Sequence, residues 1–167
     1  MQIVIRRAAS QDGAAMLEYL RQIGGETENL TFGEAGLPIT AEEEAASLQQ
    51  MEDSRDEVEL IATCGGRIIG DASLSRLPRR MQHRGDFGIA VLREYWNQGV
   101  GSLLMQAVLR FARENAFELI ELQVRSDNAA AIHLYEKFGF QRFGTHPSFF
   151  KIEGAEIPFD YMYLKLS

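Results

Sequence analysis

The apolar residues Val100, Leu103, Leu104, Ala107, Val108, Phe111 and Ala112 recur at steps of three and four. That spacing predicts an amphipathic helix that ends near Asn115. A second stripe, Ala15, Met16, Tyr19, Leu20 and Ile23, predicts a helix over residues 12–23, ended by Gly24 and Gly25. Thr40 with Glu43 three residues on forms a capping box, which opens a helix running to about Asp53. "NAAAIHLYEKF" predicts a fourth helix, with Asn128 as N-cap. Gly139 closes it, and Phe140 is placed for the apolar packing that follows a glycine cap. Alternating or continuous apolar runs predict strands at "QIVIR", "EVELIATC", "RIIGDASLSRL", "GDFGIAVL", "ELIELQV", "QRFGTH" and "DYMYLKLS". Gly65 and Gly66 join the second and third as a hairpin. Gly88 inside its strand marks a bulge or a close approach of another backbone. The order is strand, two helices, three strands, helix, strand, helix, two strands. This is a mixed α/β sheet and not a regular alternation.

Composition narrows the class without naming a function. A chain of 167 residues suits one domain over residues 1–167. With 46% hydrophobic and 25% charged residues it reads as an ordinary soluble protein. A net charge of -7 argues against a general nucleic-acid binder and is compatible with a cationic substrate. No apolar run reaches the length of a membrane span. In "MQIVIRRAAS" the basic pair follows the apolar residues, so this start reads as a strand and not as a secretion signal. Cys64 is the only cysteine, which leaves no internal disulfide and no cysteine-cluster metal site. The expected location is cytoplasmic, and no metal is expected.

The first chemistry-bearing feature is Gly99-Val100-Gly101 at the start of the 100–115 helix. A helix N-terminus has unpartnered N–H groups and partial positive charge, and glycines let a ligand approach. Two readings stand side by side: a phosphate site, or a tight turn that binds nothing. A dinucleotide fingerprint would need glycine at 104, where the chain has Leu104.

Residues 85–144 carry both "QGVGSLL" and "NAAAIHLYEKFGF", in that order, with a strand between them. Together these resemble the GNAT superfamily of acetyl-CoA-dependent N-acetyltransferases. The resemblance implies a mixed, mostly antiparallel sheet flanked by about four helices. It implies acetyl-CoA as cosubstrate, with its pyrophosphate on the N–H groups of Gly99, Val100, Gly101 and Ser102 and with Gln98 at the start of that loop. Ile89, Ala90 and Val91 would pair with the pantetheine arm as an added strand. Asn128 would hydrogen-bond the carrier, and Tyr135 would serve as general acid. The family often has Arg or Gln three residues before the first of these glycines; here that position is Trp96. Arg93 either compensates or is a solvated charge.

Acetyl transfer requires a neutral amine. A lysine-like amine, with a pKa near 10.4, needs roughly 4.6 kcal/mol to lose its proton at pH 7. Asp86 is the first candidate base, although it reads equally well as a strand-end turn residue. His83 titrates in the useful range but lies on a basic loop. His133 and His146 read as structural. A main-chain N–H freed by a bulge near Val91 would stabilise the developing oxyanion. The departing thiolate needs a donor, and a phenol stays protonated at pH 7.

The acceptor pocket is expected from residues 26–53 and from the tail Ser148–Asp160. Glu26, Glu28, Glu42, Glu43, Glu44 and Asp160 could draw in a cation, while a solvated helix face also explains the glutamates. Phe32, Phe149 and Phe150 either line that pocket or cap the core. The acceptor is read as a small-molecule amine, with a peptide or protein amine as the alternative. A coenzyme-A-binding sensor without turnover is the reading from a different class. Oligomeric state stays open, a homodimer included.

Overall fold

The computed structural model describes residues 2–166. Its strands are β1 (Ile3–Arg7), β2 (Glu57–Cys64), β3 (Arg67–Arg76), β4 (Arg84–Val91), β5 (Leu119–Arg125), β6 (Gln141–Ile152) and β7 (Ala155–Lys165). Its helices are α1 (Gly13–Glu26), α2 (Ala41–Met51), α3 (Val100–Glu114) and α4 (Ala129–Lys137). The seven strands form one sheet in the order β1-β2-β3-β4-β5-β7-β6. Every neighbouring pair is antiparallel except β4 with β5. The mixed, mostly antiparallel sheet and the four helices agree with the sequence pattern.

The parallel pair is the feature that makes a site. β4 and β5 pair only from Arg84–Leu119 to Asp86–Glu121. Beyond that point β4 stays with β3 as far as Val91, and β5 stays with β7 as far as Arg125. The sheet therefore splits into a wedge between Ile89–Val91 and Gln123–Arg125.

Alternation along the strands divides the sheet into two faces. One face carries Leu74, Gly85, Phe87, Ile120 and Leu122 beneath α3 and α4. Here Phe87 packs edge-on against Tyr135 with ring centroids 6.3 Å apart. α3 buries Val100, Leu104, Met105, Val108, Leu109, Phe111 and Ala112. Each large apolar side chain so buried contributes about 1.5–3 kcal/mol. The other face carries Glu59, Asp71, Asp86 and Gly88, with α1 tied to it through Tyr19 and Asp71.

The helix ends form as their sequences require. Glu43 N donates to Thr40 Oγ1 and Thr40 N to Glu43 Oε1, both at 3.1 Å. Asn128 Oδ1 accepts from Ala131 N at 3.2 Å. At the C-terminus of α4, Phe140 N donates to Tyr135 O at 3.1 Å and Gly139 N to Glu136 O at 3.0 Å. Gly139 adopts φ 98°, and the Phe140 ring rests 5.8 Å from that of Tyr135. This is a Schellman cap, and it fixes the tyrosine from below.

Four expectations need correction. Gly24 and Gly25 do not end α1, which runs to Glu26. A Cβ at Gly24 would lie 2.2 Å from the Gly33 carbonyl oxygen, so the glycine serves the close approach of a loop. Gly88 forms no bulge, because the β3–β4 register runs without a shift from Gly70–Val91 to Arg76–Gly85. The same continuity removes the bulge expected near Val91; the free edge there comes from the splitting of β4 from β5. The tail is one long hairpin, β6 and β7, turning at Glu153-Gly154 with both residues at positive φ.

Candidate active site

The wedge opens into a cleft of about 600 Å³. Its walls include Ile89, Ala90 and Val91 from β4, Gly99 to Ser102 from the start of α3, Gln123 to Arg125 from β5, and Asn128, Tyr135 and Lys137 around α4. Ile23, Glu26 and the residues that follow α1 close the far side.

The main-chain direction of β4 decides which groups face the gap. Arg84 O accepts from Leu77 N, and Leu92 N donates to Ile69 O, so even-numbered residues turn toward β3. His83 O accepts from Glu118 N and Leu119 N on the β5 side. By the alternation of an antiparallel ladder, Ile89 and Val91 turn their N–H and C=O groups into the wedge. Ala90 turns its own toward β3, and its carbonyl also accepts from Tyr19 Oη at 3.1 Å. Val91 O already has a partner, the indole Nε1 of Trp96 at 2.7 Å.

The start of α3 faces the cleft. No side chain caps it, whereas Thr40 and Asn128 cap α2 and α4. Leu103 N is the first to close on the helix, donating to Gly99 O at 3.1 Å. The N–H groups of Val100, Gly101 and Ser102 precede it and are left for a ligand. Gly99 adopts φ 83°, and nothing lies within 4 Å of where its Cβ would be. Gly101 has a different reason: a Cβ there would meet Leu134 Cδ2 at 3.1 Å, so it lets α4 pack closely on α3. Lys137 Nζ sits 3.5 Å from Ser102 Oγ and adds a positive charge beside these amides. Lys137 lies inside the quoted "LYEKF" segment, yet its place became visible only when α4 packed beside α3.

Tyr135 is 6% exposed and lines the cleft. Among the described residues its hydroxyl has no hydrogen-bond partner, and it is not sealed from the cleft. Burial pushes its phenol well above the usual range, so it holds its proton at neutral pH.

The other sequence candidates disperse. Asp86 sits on the α1 face of β4 and does not line the cleft, but Gln123 Nε2, which does, donates to its Oδ1 at 3.3 Å. Desolvation raises the Asp86 carboxyl and nearby Glu121 raises it further, against the Gln123 hydrogen bond, which lowers it. His83 lies at the opposite end of β4, in a separate basic depression with Arg76, Arg79 and Arg80. Gln98 turns away and donates to Glu94 O at 3.0 Å. Asn128 uses its Oδ1 in the α4 cap, which leaves its Nδ2 for the cleft. Arg93 is exposed and does not reach the α3 amides: its N donates to Glu26 Oε1 at 2.7 Å, and its Nη2 to Glu26 O. Asp160 faces no acceptor; it is buried with Ser126, Thr145 and Arg142. Glu44 is not on a solvated face either, being half-buried toward β2 and β3.

A mixed sheet split at one parallel pair, with an uncapped glycine-led helix and a phenol at the split, defines a class of acyl-carrier-dependent transferases. The chain belongs to the GNAT family of acetyltransferases: a profile of the Acetyltransferase (GNAT) family matches residues 15–140. It is 31% identical over 165 residues to the L-amino acid N-acetyltransferase AaaT of Escherichia coli strain K12, covering 96% of each chain. To the N-alpha-acetyltransferase RimI of Mycobacterium tuberculosis it is 36% identical over 96 residues, 57% of this chain and 59% of that one. The crystal structure of a GNAT-family acetyltransferase from Streptococcus pneumoniae superposes with a TM-score of 0.95 at 30% identity, covering 99% of this chain and 100% of that one. The structure of yncA, a putative acetyltransferase from Salmonella typhimurium with its cofactor acetyl-CoA, shares the fold at a TM-score of 0.85 and 20% identity, over 100% of this chain and 95% of that one. The chain is accordingly an acetyl-CoA-dependent N-acetyltransferase. Among the described residues no helix is long and apolar enough to cross a membrane, and no three His, Cys, Asp or Glu gather as a metal site.

Proposed function

We propose that the protein acetylates the amine of an amino-acid-like small molecule by direct attack, with Tyr135 as general acid and Asp86 as general base. The single observation that carries this is the unpartnered Tyr135 hydroxyl in the wedge, on the same cleft as the open Ile89 and Val91 main chain and the uncapped α3.

The residues present fit the acyl carrier. Three free N–H groups and Lys137 suit a diphosphate, and the open Cβ position at Gly99 gives it room. Acetyl-CoA, when bound, supplies the activated acetyl thioester. Val100, Gly101 and Ser102 anchor its anionic end, with Asn128 Nδ2 beside them. Ile89 and the Val91 N–H fix the pantetheine arm in the wedge, and a gap-facing N–H here donates to the oxygen on which charge develops. Tyr135 Oη hands its proton to the departing sulfur. Asp86 removes the ammonium proton of the acceptor by way of water at Gln123. Its raised affinity for protons makes it a better base than an ordinary aspartate. No enzyme nucleophile is needed, in keeping with Cys64 lying at the end of β2 and outside the cleft lining.

The likeness to AaaT over nearly the whole length supports a small acceptor. At the cleft mouth Glu26 lies near Arg125, whose guanidinium is paired with Asp127. A protein N-terminus is the second reading, supported by the RimI likeness. Thiol release measured with L-amino acids, their amides and N-terminal peptides decides between them. Turnover of free amino acids at a kcat/KM at least about tenfold above that of the peptides is expected. The reverse order would transfer the assignment to protein N-termini.

A further inference from the structure

Beneath α1 and α2, away from the cleft, the sheet buries acids that the acetyl transfer does not use. Glu59 of β2 and Asp71 of β3 are diagonal neighbours on this face, since Glu59 pairs with Ser73 and Asp71 with Ile61, and the Asp71 carboxylate acts directly on that of Glu59. Tyr19 of α1 places its Oη 2.7 Å from Asp71 Oδ1 and 3.1 Å from Ala90 O. Glu44 of α2 adds a third carboxylate, and Glu26 at the end of α1 a more distant one. No cation is among the groups that act on Glu59, Glu44 or Tyr19. Glu59 Oε1 is fully enclosed and has no hydrogen-bond partner.

Counting hydrogens settles what this cluster needs. Two ionised carboxylates accept only, so they cannot bond each other. Tyr19 has one hydroxyl hydrogen for two oxygens, Asp71 Oδ1 and Ala90 O. One added proton lets Glu59 bond Asp71 and relieves the like-charge pair. A buried carboxylate with neither a partner nor a counter-ion is costly, so the proton is retained when the helices close.

We propose that Glu59 keeps a proton at neutral pH and directs it to Asp71, and that this pair, acting through Tyr19, is a latch that fastens α1 to the cleft strand β4. Tyr19 bonds Ala90, whose neighbours Ile89 and Val91 open into the wedge. Ile23, one turn further along α1, lines the same cleft. Losing the proton leaves two neighbouring anions and loosens α1 at the acceptor side. Burial and the neighbouring acids raise the Glu59 carboxyl well above its ordinary value. Its contribution to stability is therefore complete below the ordinary glutamate range and lost as pH rises through the elevated value. The latch does not rest on the acceptor assignment, because it is read on the free protein.

Hydrogen exchange of the full chain, followed by mass spectrometry from about pH 6 to about pH 9 and corrected for intrinsic rates, tests it. Protection of α1 is expected to fall at least about tenfold over this range while α3 holds its own. E59Q keeps a donor toward Asp71 but cannot ionise, and is expected to show flat α1 protection. Constant α1 protection in the wild type, or the wild-type response in E59Q, overturns the proposal. If E59Q does not fold, the wild-type infrared spectrum decides. A protonated-carboxyl band present at neutral pH and lost at high pH supports the retained proton, and its absence at neutral pH overturns it. Binding of acetyl-CoA by calorimetry, measured separately, reports on the reading of the cleft and not on the latch.

Discussion

Trp96 and Val91 are tied across the mouth of the cleft: the indole Nε1 donates to the Val91 carbonyl at 2.7 Å. Trp96 is 49% exposed and is the only tryptophan in the chain. It stands three residues before Gly99 and orients a peptide unit of β4 at the cleft. Titration with acetyl-CoA should therefore give a saturable change in tryptophan emission. Losing one such hydrogen bond costs about 1 kcal/mol, so W96F should raise the KM for acetyl-CoA about fivefold with kcat little changed. Emission that does not respond to saturating acetyl-CoA would remove Trp96 from the site.

Tyr135→Phe deletes a hydroxyl that bonds to no described residue while keeping the ring against Phe87 and Phe140. Stability should stay within about 0.5 kcal/mol of wild type. As a lost general acid, it should lower kcat by about 10² to 10⁴ with little change in the KM for acetyl-CoA. Steady-state kinetics and a melting curve on the same preparation separate the two effects.

Asp86 gives a prediction in which activity and stability move in opposite directions. Its carboxyl is raised chiefly by desolvation, so the folded state favours the neutral form more than the unfolded chain does. A group of this kind stabilises below its unfolded value and loses that contribution as pH climbs through the folded one. Asp86→Asn should thus be no less stable than wild type at neutral pH. With Asp86 as the proposed base, its ionised form would do the work, so the acid limb of the wild-type rate profile should lie above the ordinary aspartate value and vanish in the variant. A pH–rate profile that keeps its acid limb in the variant would place the base elsewhere.

Gly24 tests packing rather than chemistry. A methyl group there would press to 2.2 Å from the Gly33 carbonyl oxygen, which is main chain and cannot swing aside. Gly24→Ala should cost about 1–3 kcal/mol by overpacking, although alanine is the better helix former. Denaturant unfolding with an unchanged m-value would show this as a lower midpoint.

Asp12 carries acid sensitivity. Hydrogen bonds from Arg6, at 2.8 and 2.9 Å, hold its carboxyl below the usual range against some desolvation, and Ala9 N adds another at 2.7 Å. Its stabilisation is present above the unfolded value and should disappear as pH falls through the depressed folded one. Asp12→Asn should flatten that part of the stability curve in acid denaturation.

The sequence alone determined which segments become helix or strand, because each period and cap is local. The Thr40–Glu43 box, the Asn128 cap and the Gly139 turn are satisfied within a few residues of themselves. The glycine-led start of α3 and Tyr135 on α4 were legible for the same reason. Tertiary structure decided everything that depends on two distant segments meeting. The wedge exists because β4 and β5 pair over three residues and then part, and no local pattern encodes where parallel strands diverge. Lys137 reaches Ser102, and Trp96 reaches Val91, only after α3, α4 and β4 are assembled. Glu44 reads as part of a solvated helix face, and Glu59 and Asp71 fall within two strand patterns, so nothing local brings the three together. Closing α1 and α2 over the sheet half-buries them together, and shared burial is a property that single residues do not carry.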